Sequence, residues 1–188
     1  VEGLSLADLE SVPLSLWSEI GSLLALIDLT LQNFYHAGSK RELPWDVKHV
    51  LWSKNRLKYV ADPVKRRQLD YALLQIETYL LPVSRQLRHQ VIYGDGNEHN
   101  FILQPKKNSY QLKGLIDFGD MSDSFLAAEP AIALTYALMK TGEPEKTVRT
   151  LLAAYHKINP LHPAELDILY YLILARLVIS LTMAAWRR

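Results

Sequence analysis

The chain has 188 residues, a formal net charge of +1, no cysteine, 49% hydrophobic and 22% charged residues. That length and composition fit one globular domain, or one large lobe of a bilobal protein with a sizeable core, and exclude a disordered chain. The missing cysteines exclude a disulfide framework and thiolate metal sites and suit a reducing, cytoplasmic setting, while the near-zero charge selects neither nucleic acid nor a membrane.

Val1-Glu2-Gly3-Leu4 has neither the basic segment nor the apolar core of a signal peptide. Pro13 or Ser15 is expected to open a long helix. There Leu16, Ile20, Leu23, Leu24, Ile27, Leu31 and Phe34 recur at spacings of three and four, a core stripe ended by Gly38. Ser39 to Asp46 reads as a polar connection with one aromatic, Trp45, beside Asp46. That pair either caps a short helix over Val47 to Leu51, with Trp45 buried, or edges a cleft where a carboxylate and an aromatic face would suit a cationic amine.

Lys54, Arg56, Lys58, Lys65, Arg66 and Arg67 lack interleaved aromatics and read as a solvated face, so no nucleic-acid partner is expected. Pro63 suits the first turn of a second helix carrying Leu69, Leu73, Ile76 and Leu80. Pro82 marks a break before a short helix, Val83 to His89, that leads into a strand.

That strand ends in Val91-Ile92-Tyr93-Gly94-Asp95-Gly96-Asn97-Glu98-His99-Asn100. Phe101 to Gln104 reads as a second strand, Lys106 to Ser109 as a turn, and Tyr110 to Ile116 as a return strand delivering Asp117-Phe118-Gly119-Asp120. One hairpin thus has Asp95 and Asn100 on one side and Asp117 on the other. Phosphoryl transfer asks for these groups. One carboxylate orients or deprotonates the attacking hydroxyl, while a carboxamide and a second carboxylate hold Mg²⁺ against nucleotide phosphates. A plain Asp/Gly/Asn turn is the simpler alternative. An EF-hand loop would need Gly and Glu where Asn100 and Lys106 stand.

Beyond Asp120, Met121 to Ser124 reads as a polar loop and Glu129-Pro130 as the start of an apolar helix through Met139. A further helix follows over Glu145 to His156. The last helix, from Ala164 to the end, is apolar enough over Leu166 to Ala185 to suggest a membrane span. Asp167, Arg176, Ser180 and Thr182 interrupt it, and a central arginine is costly in hydrocarbon, so a buried core helix is expected and no membrane partner. The six histidines, His99 among them, show no metal-ligand spacing.

Protein kinases combine a D-x-x-x-x-N catalytic loop with a later Asp-Phe-Gly. The form here, Gly94-Asp95-x-x-x-x-Asn100 followed by Ile116-Asp117-Phe118-Gly119-Asp120, resembles the aminoglycoside phosphotransferase and choline kinase-like superfamily. Within it the sequence looks most like hydroxylysine kinase and the phosphotransferase domains fused to class III aminotransferases. Arg41-Glu42-Leu43-Pro44-Trp45-Asp46 and Ala175-Arg176-Leu177-Val178-Ile179-Ser180 extend the resemblance over nearly the whole chain, with Val1-Glu2-Gly3 looking like the end of an interlobe hinge. Tyr93 departs from the pattern, standing where relatives carry a histidine that buttresses the loop.

The resemblance implies a protein kinase-like fold and an ATP- and Mg²⁺-dependent small-molecule kinase. It would transfer the γ-phosphate to a hydroxyl of a small amine-bearing metabolite. Asp95 is then catalytic, Asn100 and Asp117 hold metal and nucleotide, and Asp120, Glu98, Asp46 and Trp45 are weaker candidates for the substrate. No Gly-rich loop or five-stranded sheet precedes Asp95. Residues 1–188 therefore read as the mainly α C-terminal lobe with a small β-hairpin. The lobe is expected to be a fragment and by itself an incomplete enzyme, its partner being the missing N-terminal β lobe of the same protein. A non-catalytic kinase-like module that binds a ligand or partner is the alternative.

Overall fold

The computed structural model describes residues 3–107 and 109–187; of the expected hinge, Val1 and Glu2 lie outside the described residues. Strand β1 (Leu4–Ser5) precedes helix α1 (Leu14–Leu31), and helix α2 is Pro63–Tyr79. Strands β2 (His89–Ile92), β3 (Phe101–Lys106), β4 (Ser109–Leu115) and β5 (Ser122–Phe125) come next. Helices α3 (Ala128–Lys140), α4 (Pro144–Ile158), α5 (Pro163–Asp167) and α6 (Leu169–Trp186) complete the order.

The fold is mainly α, with the hairpin read from the sequence formed by β3 and β4. Their register pairs Phe101 with Leu115 at one end and Lys106 with Ser109 at the other. A bulge between Ile102 and Leu103 shifts the ladder, leaving Lys113 between the partners of those two residues. The sheets exceed the single hairpin expected. β1 joins β3 to make a three-stranded sheet, and β2 pairs antiparallel with β5 in a second sheet. Ser122 to Ser124 belong to β5 rather than a loop. Their polarity hid the strand, because Ser122 and Ser124 are buried and the Ser124 hydroxyl donates to Asp46.

Other boundaries moved for local reasons. α1 stops at Leu31, where Phe34 N–H already bonds the Leu31 carbonyl, so Gly38 lies beyond the helix and Phe34 is exposed. The helix expected over Val47 to Leu51 runs as a 3-10 segment to Tyr59 and kinks at His49. Asp62 caps α2 by accepting from the Val64 and Lys65 N–H groups, with Pro63 in the first turn as expected. The last helix breaks at Ile168 into α5 and α6.

One core joins α1, α3, α4 and α6, through Leu16, Ile20 and Leu24, Leu134, Leu151 and Tyr155, and Leu172 and Val178. α1 and α6 are each long and apolar enough to cross a membrane by length and composition alone, and each packs a buried face into this core. α3 and α6 lie against each other, and both reach the loop between β2 and β3.

Where α1 meets α4, a methyl group on Gly21 would stand 2.3 Å from the Leu151 carbonyl oxygen, which is backbone and has nowhere to turn. Gly21→Ala gains about 1 kcal/mol of helix propensity. It must separate two core helices to do so, an overpacking cost of about 1–3 kcal/mol or more. The clash wins. The variant is expected to melt below the wild type, and a rise in melting temperature would show that α1 and α4 slide apart freely.

Candidate active site

β2 ends at Ile92 and the chain crosses to β3 without regular structure. Gly94 adopts φ +74, a left-handed conformation strained for any side chain, and its N–H donates to Glu129 Oε2 at 2.9 Å. Asp95 follows with both carboxylate oxygens engaged. Oδ1 accepts from Arg176 Nη2 at 2.7 Å, and Oδ2 accepts from Asn100 Nδ2 at 2.8 Å and from Asn97 Nδ2 at 2.9 Å. Asn100 Nδ2 also donates to the Asp95 carbonyl at 3.0 Å. The two motif residues of this loop are therefore in direct contact.

Across the hairpin, Ile116 N–H donates to the Asn100 carbonyl at 3.0 Å, so the chain leaves β4 at the same end as Asn100. Asp117 takes φ 58, which its short polar side chain tolerates by accepting the Gly119 N–H on Oδ1 at 3.1 Å. Arg41 holds this turn from outside, donating to the Gly119 carbonyl and, at 3.1 Å, to that of Met121. Tyr93 ties the two halves together. Its buried phenol donates to the Ile116 carbonyl at 2.6 Å and meets the Phe118 ring edge-on, with centroids 5.2 Å apart. A buttress is what the missing histidine was expected to supply.

Among the described residues no group of three or more His, Asp or Glu could hold a metal ion by itself. Magnesium does not need one, since it keeps several waters and takes one or two carboxylates plus substrate phosphates. The donor set fits. Asn100 turns its amide nitrogen to Asp95, which leaves the carboxamide oxygen as the group for a cation, and Asp117 has a second carboxylate oxygen beyond the one bonded to Gly119.

The weaker candidates are placed differently. Asp46 is buried and caps the 3-10 segment, accepting from Lys48 N–H at 3.0 Å and from the Ser124 hydroxyl at 2.6 Å, with Lys48 Nζ 3.5 Å from its other oxygen. The Trp45 face carries the guanidinium groups of Arg176 and Arg187, 5.1 and 5.3 Å from its centroid. The cations beside this pair are thus the chain's own. Both residues line a cavity of about 10 Å³, no more than one water needs, together with Gly94, Asp120 and Ser122. Glu98 accepts the Ala7 N–H on its carbonyl while one carboxylate oxygen is buried without a partner among the described residues, and His99 is exposed.

The phosphotransferase enzyme family matches residues 1–169. The chain belongs to that family. It is 26% identical over 177 residues to hydroxylysine kinase of Mus musculus, covering 89% of this chain and 47% of that one. To the Danio rerio hydroxylysine kinase it is 25% identical over 190 residues, covering 98% and 53%. It therefore spans about half the length of these curated relatives. The fold is similar to a microcompartment-associated aminopropanol kinase, with TM-score 0.65 and 16% identity over 92% of this chain and 54% of that one. It is also similar to aminoglycoside 2'-phosphotransferase-IIIa in its GDP complex, with TM-score 0.63 and 22% identity over 97% and 61%.

Two residues of this family member's site were not singled out as functional from the sequence, although both carried a signal: a charge inside an apolar helix. Arg176, in the middle of α6, enters the sequence reading as part of the closing stretch of the resemblance and as an argument against a membrane span, with no role assigned to it. Glu129, in the first turn of α3, was read only as a helix start. Burial pushes the Glu129 carboxyl up to about 7, helped by the charge of Asp95 and opposed by the Gly94 and Tyr93 N–H groups and by Arg176. Burial also raises Asp120, with the charges of Asp95 and Asp117 adding to it and Arg176 and Arg41 opposing, so these acids share one field.

The Glu129 shift has a stability consequence. Its folded-state value of about 7 lies above the ordinary 4.5, so the folded chain holds the proton more tightly than the unfolded one. Stability then falls as pH rises from about 4.5 through about 7, and the loss is complete above that. Glu129→Gln keeps an acceptor for Gly94 and removes the titration. In denaturant melts the variant should gain on the wild type between pH 5 and pH 8. A difference constant over that range would mean that Glu129 stays ionised in the fold.

Proposed function

We propose that this chain is the catalytic-loop lobe, the C-terminal one, of a small-molecule kinase that transfers the γ-phosphate of ATP to a hydroxyl of an amine-bearing metabolite. The observation that carries the reading is the Asp95–Asn100 pair, held on one side of the β3–β4 hairpin at 2.8 Å with Asp117 leaving the other side at the same end. Hydroxylysine kinases and an aminopropanol kinase among the similar proteins support an amino alcohol as acceptor. Those relatives are about twice as long as this chain, which supports a second lobe of the same protein covering the nucleotide.

In this reading Asp95 accepts a hydrogen bond from the acceptor hydroxyl, orients its oxygen toward the γ-phosphorus and takes its proton as the new bond to phosphorus forms and the bond from the γ-phosphorus to the β–γ bridging oxygen breaks, releasing ADP. Asn100, through its carboxamide oxygen, and Asp117, through its carboxylate, would hold the magnesium. When bound, magnesium neutralises charge on the β- and γ-phosphates. Tyr93 keeps the loop and the Asp117 turn in one frame by its bond to Ile116. Because phosphoryl transfer relies on positioning, that frame is the chain's main contribution to rate.

Titrating Mg²⁺ in two variants of the full-length protein separates the assigned roles. Asp95→Asn keeps shape and removes the proton acceptor. It should lower kcat on the order of 10²-fold or more with nucleotide binding nearly intact. Asp117→Asn removes an anionic ligand and should raise the Mg²⁺ requirement and weaken Mg-ATP binding as well as slow turnover. Equal Mg²⁺ dependence in both, with nucleotide affinity unchanged, would reverse the assignment.

A further inference from the structure

Asp95 sits at the mouth of the site with its side chain 15% exposed, whereas the Arg176 side chain beside it is 2% exposed. A carboxylate oxygen offers two acceptor directions. Oδ2 is filled by Asn97 and Asn100, while among the described residues Oδ1 receives only Arg176. The open direction on this carboxylate is therefore on Oδ1.

Arg176 is held from several sides. Besides Asp95, its Nη1 donates to the Trp45 carbonyl at 3.0 Å and its Nε to the Tyr136 hydroxyl at 3.2 Å. The guanidinium also lies over the Trp45 and Tyr136 rings, 5.1 and 5.5 Å from their centroids. Tyr136 comes from α3, Arg176 from α6 and Trp45 from the connection before the 3-10 segment, so three parts of the chain fix one plane. A lysine would bring the charge without the fork or the stacking.

We infer that Arg176 is a positioning residue for phosphoryl transfer, which locks the Asp95 carboxylate so that the acceptor hydroxyl docks on Oδ1. The inference rests on the phosphotransferase reading above. Neither nucleotide nor metal touches Arg176 in this account, so its substitution acts through Asp95 alone.

The test uses the full-length protein with Mg-ATP and a panel of hydroxylated amines, with kcat expressed per nucleotide-binding site so that unfolded protein does not count. Arg176→Lys should lose about tenfold or more in kcat, because misplacement of a reacting group by about an ångström costs on that scale or more. Its KM for nucleotide should stay within about twofold. Arg176→Met should lose more. Combined with Asp95→Asn it should be no slower than Asp95→Asn alone, because the two side chains act as one unit. If Arg176→Met does not fold, Arg176→Lys carries the test by itself. Full turnover by Arg176→Lys, or multiplied losses in the double variant, overturns the inference while leaving the kinase reading standing. A wild type silent on every acceptor overturns the kinase reading and this inference with it.

Discussion

The structure depends on the burial of one guanidinium among acids. Arg176 supplies the positive charge inside a region that also holds Asp95, Asp120 and the fully buried Glu129. An ion pair out of water is tolerable only when nearly every donor and acceptor is satisfied, and removing one partner of such a pair typically costs about 3–5 kcal/mol. Here the guanidinium is satisfied by a carboxylate, a backbone carbonyl and a phenol. The polar groups of the candidate site can then sit at the edge of an apolar helical core.

That arrangement explains why the loop from Tyr93 to Asn100 keeps its shape without regular secondary structure. Helix α3 grips it through Glu129 and the Gly94 N–H, and α6 grips it through Arg176 and the Asp95 carboxylate. On the other side, Tyr93 and the Ile116–Asn100 backbone bond lock it to the end of β4. Each grip uses a different kind of group on the loop: a backbone donor at Gly94, a side-chain acceptor at Asp95, a side-chain donor at Tyr93 and a backbone acceptor at Asn100. The left-handed Gly94 and Asp117 mark where the chain bends to meet them.

A cost accompanies this design. Asp28 on α1 is fully buried, raised by burial and by the charge of Glu129, and bonded by the Tyr155 hydroxyl; one of its oxygens and one of Glu129's have no partner among the described residues. Two under-satisfied acids beneath a catalytic-type loop are an expense in stability that packing alone does not require. Local strain and imperfect satisfaction collect at sites where position matters more than stability.

Much of this was legible in the chain itself. The spacing of Leu16, Ile20 and Leu24 gave α1, and Pro63 gave the start of α2, while its cap, Asp62, came only with the structure. The order Asp95, Asn100, hairpin, Asp117 gave the site's frame, because period, capping and turn chemistry are local properties. Polarity misled at β5, where Ser122 and Ser124 are buried in a strand whose partner, β2, lies some thirty residues earlier in sequence. At Trp45 and Asp46 the capping alternative holds, since Asp46 caps the 3-10 segment; the sequence neighbours do not reveal that Arg176 and Arg187 lie on the Trp45 face. A charge inside an apolar helix announces that a partner must exist, since an unpaired buried charge is too costly, but not which residue it is. The sequence by itself determined that Arg176 and Glu129 had to be answered; only the tertiary structure, by crossing α3 and α6 under one loop, decided that Asp95 and Gly94 answer them.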